Sequence, residues 1–199
     1  MGKHRHSTKL RSNKPSGFIR LISGEWRGRK LPVHNAEGLR PTTDRVKETL
    51  FNWLSPDIPL SRCLDLFSGS GSLGFEAASR KAKQVTMLEL DTQAYKQLQT
   101  NKETLSAHSV DIIQENTLSY LARQQPEKPY DIIFIDPPFR QGLAEQVITL
   151  LENGQWLAGD ALIYLETEKE WQPDEIPAHW QLHREKTAGQ VCYRLYRYH

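Results

Sequence analysis

An α/β fold is what this sequence predicts: a parallel sheet with helices on both faces, closed by an antiparallel hairpin. Three observations carry that expectation. From residue 62 onward, short apolar runs alternate with helix-length segments, the pattern of strand–crossover–strand units. The turn after the first run is glycine-rich, DLFSGSGSLG over residues 65–74. Late in the chain, two strand-like runs at 180–187 and 190–198 are separated by little more than Ala188 and Gly189. So short a link joins only antiparallel neighbours.

The elements follow in order. Residues 1–17 are polar, rich in Lys, His, Ser and Asn, and without apolar periodicity, so they are expected to be disordered unless a partner orders them. FIRLISG, from Phe18, reads as a short strand, followed by a basic loop through residue 41. Pro41, Thr42, Thr43 and Asp44 form a helix-start signal. Val46, Leu50, Trp53 and Leu54 then recur at helical spacing and stop before Pro56. Strands are expected at 62–67, 84–89, 110–114, 130–135 and 161–166, with helices near 72–80, 92–105, 117–123 and 142–151. The chain thus divides into a tail (1–17), an extension of strand, basic loop and helix (18–58), and a main domain (59–199).

Composition narrows the classes. With 199 residues and 38% hydrophobic content there is chain enough for one sizeable core. No apolar run approaches the ~20 residues of a membrane helix, and the basic start lacks the apolar stretch of a signal peptide. A cytoplasmic protein without a membrane partner is expected. Cys63 and Cys192 are the only cysteines, with no CxxC, which argues against a disulfide framework and against a zinc site. No metal is expected.

The net charge of +2 conceals a segregation. Residues 1–47 hold 12 lysines and arginines against three acids, a net of +9, and the remainder holds 14 against 21, a net of −7. A solvated tail that aids solubility would account for the first residues alone. The basic residues continue into WRGRKL and LRPTTDRVKETL, which favours a nucleic-acid partner. Trp26, Arg27, Arg29, Lys30 and Arg40 are the candidate contacts to its phosphates.

The chemistry gathers at strand ends, where open α/β sheets bind ligands. Gly69, Gly71 and Gly74 match G-x-G-x-x-G, and Glu89 stands 20 residues after Gly69, at the end of the next strand. Such a loop lets backbone approach a ligand, and the acid suits ribose hydroxyls. NAD and S-adenosylmethionine both qualify. Asp65 divides them, because a carboxylate there disfavours a pyrophosphate and attracts a sulfonium and an amino group. Asn116 ends the third strand, where an amide meets an adenine edge or simply caps the next helix.

YDIIFIDPPFR, residues 130–140, supplies the reacting end. Asp136 is the first residue past the fourth strand. Pro137 and Pro138 lock two φ angles and leave carbonyls free to accept, and Phe139 offers a face for a base. Together they describe a pocket for an exocyclic amine on a planar ring. Asp136 and the Pro137 carbonyl would take its N–H groups while the amine is oriented toward a methyl donor.

The strand and hairpin order resembles a class I methyltransferase, a Rossmann-like fold whose seven-stranded, mostly parallel sheet ends in an antiparallel hairpin. IRLISGEWRGRKL, LRPTTDRVKETLFNWL, DLFSGSGSLGFEA, IDPPF and the final ALIYLETE…HREKTAGQVCYRLY resemble the bacterial 16S rRNA (guanine(966)-N(2))-methyltransferase family, from about residue 18 to the end of the chain. The resemblance implies transfer of methyl from S-adenosyl-L-methionine, leaving S-adenosyl-L-homocysteine, to a guanine N2 of 16S rRNA in the 30S subunit or an assembly intermediate. It implies that Asp136, Pro137, Pro138 and Phe139 form the catalytic loop; a monomer is expected, though the residues do not themselves fix the oligomeric state. Asp65, Phe67, Gly69, Gly71, Glu89, Leu90, Asn116 and Thr117 would contact the cofactor, joined by Thr43 and Arg45, and Lys47 would face the pocket or the RNA. Ser68 and Ser72 stand where the family more often has alanines.

Rival functions leave different marks. An adenine-N6 methyltransferase would use the same loop on a flipped base, but usually carries a target-recognition domain for which 199 residues leave little room. C5-pyrimidine methylation needs a cysteine where Pro137 and Pro138 stand. A non-catalytic RNA-binding assembly factor has no use for Asp65, Glu89 and Asp136 together, and an NAD-dependent oxidoreductase would be separated by a binding assay.

Overall fold

The computed structural model describes residues 17–34, 44–172 and 176–199. The tail through residue 16, Arg40 and the Pro41–Thr43 helix-start signal lie outside the described residues.

The alternation from residue 62 becomes β3 (Arg62–Asp65), α2 (Ser72–Ser79), β4 (Gln84–Glu89), α3 (Thr92–Leu105), β5 (Val110–Gln114), α4 (Thr117–Arg123), β6 (Tyr130–Ile135), α5 (Leu143–Asn153) and β7 (Leu157–Glu168). The late hairpin is β8 (Trp180–Ala188) and β9 (Val191–Tyr198). The sheet runs β5-β4-β3-β6-β7-β9-β8. Pairing is parallel from β5 to β7 and antiparallel through β9 and β8.

Why β6 is apolar throughout follows from this order. Ile132 and Phe134 face a core formed with α1 (Asp44–Trp53), α2 and α3, while Ile133 and Ile135 face one formed with α4 and α5. A strand covered on both sides has no polar face to show. β7 begins earlier than the sequence suggests. Its register shifts between the Tyr130–Leu157 and Ile132–Leu162 pairs, and Asp160 there takes a left-handed φ of 64°, so Gly159 and Asp160 look like a turn but are an irregularity within the strand.

The extension departs most from expectation. The stretch read as a basic loop contains a strand, β2 (Lys30–Val33), which pairs antiparallel with β1 (Gly17–Arg20). Its four residues include Pro32, which hides the signal. Pro32 lacks an N–H, but its carbonyl accepts from Asn101 Nδ2 at 3.0 Å on α3. Ile19, Leu31 and Val33 face the core, and Phe18, Arg20 and Lys30 face out. Trp26, expected at the RNA, is buried in that core instead; its indole suits the apolar layer between ribbon and sheet.

Charged groups bind the extension to the domain. Glu76, fully buried on α2, accepts from Ile22 N at 2.8 Å, Ser23 N at 3.0 Å and Arg80 Nε at 2.8 Å. The Arg80 guanidinium lies over the Phe51 ring at 4.9 Å. Ser79 Oγ accepts from Trp26 N and donates to the Ser23 carbonyl. Lys47, expected to face pocket or RNA, is 1% exposed and donates to the Arg20 carbonyl at 2.6 Å. It lies one position after Val46 on the face α1 turns inward, so it spans to the ribbon. Burial lowers its pKa, opposed by the charges of Glu76 and Asp44.

Candidate active site

Strand order reverses between β3 and β6, since the chain leaves β3 to one side and returns on the other. Beyond the carboxyl ends of strands at such a point a crevice opens. Here it has a volume of about 880 Å³, within the range of small-molecule sites. Its walls come from the tips of five parallel strands and the start of β9, and include Asp65, Phe67, Gly69, Glu89, Leu90, Asn116, Thr117, the run Asp136–Phe139 and Glu166.

The glycine turn is built for packing as much as for access. Gly71 takes a φ of 80°, and a Cβ on it would come within 2.6 Å of Leu98 and Phe75. A Cβ on Gly74 would stand 2.7 Å from Met87 Sδ. Gly71 itself is not among the lining residues, whereas Gly69, Ser70 and Ser72 around it are.

Asp65 ends β3 beneath this turn, 2% exposed, and its Oδ2 accepts from Gly74 N at 3.1 Å. It thereby satisfies an N–H in the first turn of α2, whose N-cap, Gly71, has no side chain to do so. Burial drives its carboxyl up to about 7, against the hydrogen bond from Gly74. Glu89 holds the turn from the next strand, accepting from Gly69 N at 2.8 Å through Oε2 and from Asp91 N at 2.7 Å through Oε1. Burial raises its pKa too. Beside it Leu90 is 62% exposed and forms an apolar wall of the crevice.

On the third tip, Asn116 Oδ1 caps α4 through Ser119 N at 3.0 Å, so the helix cap and a place in the crevice belong to one residue. Thr117 Oγ1 donates to the Leu66 carbonyl, pinning α4 to β3. On the fourth, Asp136 is half-buried, Pro137 buried, Pro138 exposed and Phe139 half-buried. The loop beyond is clasped to β7, because Arg140 N donates to Glu168.

One cofactor candidate stands away from the crevice, and one lining acid was missed. Arg45 is exposed and does not line the crevice. Arg27, Arg29 and Lys30 are exposed around the turn joining β1 and β2, and Arg29 donates to the Thr104 carbonyl. Thr92, at the other end of α3, lines the crevice, so twelve residues of helix, about 18 Å, separate the two. Glu166 of β7 was missed, although it follows an apolar run as Asp136 does.

The charge of the crevice is one-sided. Asp65, Glu89, Asp91, Asp136 and Glu166 line it, and among the described lining residues there is no Lys, Arg or His. Such walls disfavour a pyrophosphate, and one amide in the first turn of α2, Gly74 N, is already taken by Asp65. A sulfonium with an ammonium group is suited to such walls.

Residues 19–197 match the family described as Conserved hypothetical protein 95. The chain is 56% identical over 181 residues to Ribosomal RNA small subunit methyltransferase D of Escherichia coli strain K12, covering 91% of this chain and 90% of that one. The solved structure of Escherichia coli yhhF superposes with a TM-score of 0.83 at 55% identity, covering 92% and 98% of the two chains. A precorrin-6y C5,15-methyltransferase from Geobacter metallireducens shares the fold at 15% identity and a TM-score of 0.59, covering 80% of this chain and 91% of that one.

Proposed function

This chain belongs to the Conserved hypothetical protein 95 family, and from that premise we propose that it is an S-adenosylmethionine-dependent methyltransferase acting on the exocyclic N2 of a guanine in small-subunit ribosomal RNA. The relative named Ribosomal RNA small subunit methyltransferase D, at 56% identity, supports the reaction class and the RNA. The observation that carries the cofactor is the crevice of five carboxylates without a basic lining residue among those described.

S-adenosylmethionine, when bound, supplies an electrophilic methyl group on sulfur. Glu89 stands where it can accept from a ribose and Leu90 where it can cover an adenine, while Asp65 offers a negative charge to the cationic end. Asp136 and the Pro137 carbonyl accept the two N–H bonds of the target amine, and the proton that the amine loses on methylation would pass to Asp136 or to water. An aryl amine is a weak nucleophile, and two acceptors both orient it and build electron density on its nitrogen. Phe139 covers the base, and its neighbours exclude water. A crevice this acidic repels phosphate, so only a nucleobase swung out of its strand is expected to enter. Phosphates then lie outside, where Arg27, Arg29 and Lys30 are candidate contacts.

The test is transfer of tritiated methyl to unmodified 16S rRNA and to 30S subunits, with digestion to nucleosides. Labelled N2-methylguanosine is expected, with the two substrates showing whether naked RNA or the particle is preferred. Label in adenosine would replace this reading with an N6-adenine activity, and no label with either substrate would end it.

A further inference from the structure

We propose that Glu166 identifies the base to be methylated, its carboxylate accepting the N1–H of the guanine whose N2 is held by Asp136 and the Pro137 carbonyl. The inference rests on the functional reading above and asks which residue of the crevice makes guanine the substrate.

Glu166 lies on β7, the strand beside β6, where Phe134 pairs with Tyr164 and Ile135 with Leu165. Asp136 and Glu166 each stand one residue beyond the last of these pairs. Adjacent strands stand about 4.8 Å apart, and residues two apart share a face. Both carboxylates line the same crevice, and the charges of both help to raise the Tyr164 pKa, after burial. Glu166 is 7% exposed and lines the crevice. Tyr164 Oη donates to its Oε2 at 2.7 Å. Among the described residues no other hydrogen bond reaches it, and Oε1 is not one of the buried polar atoms left without a partner. A carboxylate so nearly enclosed costs free energy unless donors meet it, and one hydroxyl meets half of it.

What would complete it is set by chemistry. Burial raises the Glu166 pKa and the hydrogen bond from Tyr164 lowers it; in its ionised form the carboxylate only accepts. Guanine carries N1–H next to its N2 amine, so two adjacent acceptors, Asp136 and Glu166, match two adjacent donors. Adenine presents a bare N1 beside its amine, and a carboxylate there would face a lone pair. Tyr164 is a positioning residue in this arrangement, since it holds Oε2 and turns Oε1 to the crevice. Rejection by an unpaired polar group is stronger than any difference in apolar fit.

The experiment uses RNA with the mapped target guanine replaced by 2-aminopurine, which keeps the N2 amine but has no hydrogen on N1. The wild-type enzyme is expected to favour guanine by about 10²-fold or more in kcat/KM. Glu166→Gln, whose amide can donate to a bare N1, should slow guanine by roughly 10–100-fold and narrow the preference at least tenfold. Its affinity for S-adenosylmethionine and its thermal midpoint should stay near the wild-type values. Tyr164→Phe should narrow the preference in the same direction by a smaller factor, and decides the matter if Glu166→Gln does not fold. Wild-type selectivity in the folded variant, or equal loss on both bases, overturns the assignment. A wild-type enzyme that labels no guanine N2 would show instead that the functional reading had failed, and the role of Glu166 with it.

Discussion

At the scale of single residues, the crevice separates groups that build the site from groups that face a substrate. In the proposed mechanism Asp136 is of the second kind, on a loop whose far end is held by Glu168. Asp136→Ala is therefore expected to lower kcat by about 10³-fold, comparable to losing a preorganised electrostatic contact, with cofactor affinity kept in calorimetry. Asp65 is of both kinds. Its carboxyl is raised to about 7 by burial, so the fold prefers it protonated. Its stabilising contribution is complete at low pH and is lost as pH rises through about 7, where a buried charge must be held. A cation in the crevice reverses that preference. Affinity for S-adenosylmethionine should rise up to tenfold per pH unit approaching pH 7 and level off above it, with a proton released on binding. In Asp65→Asn that slope should vanish. The sequence revealed these two acids because each ends a strand next to a turn. It did not reveal Glu166, because Thr167 and Glu168 follow it as ordinary strand residues, nor Lys47, whose burial depends on a ribbon 27 residues away.

Among elements, the parallel strands and their helices were legible, since period and turn chemistry are local. β4, β5 and β6 and helices α3 and α4 fall where the pattern puts them. β2 was not, because four residues with a central proline carry no period and are held in place by β1 and Asn101. α2 is the element most dependent on its surroundings. All eight of its residues are buried, and Glu76 within it receives three hydrogen bonds from the ribbon side and Arg80. Removing one member of a buried ionic network leaves the others uncompensated. Glu76→Ala should destabilise the protein by about 3–5 kcal/mol in urea unfolding. Gly74→Ala drives a methyl into Met87 and should cost about 1–3 kcal/mol, since overpacking forces side chains off their rotamers.

For the molecule as a whole, charge is distributed by task. On the proposed reading the acid-lined crevice would take a cation and a base, while the first 47 residues, with a net +9, would meet a polyanion. Removing residues 1–17 takes away five lysines and arginines, so RNA affinity should fall most at low salt and the dependence of log Kobs on log[salt] should become shallower. Filter binding across a salt series measures it, and identical slopes would leave the tail without a part in binding. The sheet imposes an order of another sort. β9 comes after β8 in the chain yet lies inside it, between β7 and β8. Until the stretch beyond Gln190 has been made and threaded alongside β7, β8 has no neighbour to join. A chain deprived of β9 would forfeit two strands for the loss of one, and leave β7 as a raw edge open to aggregation.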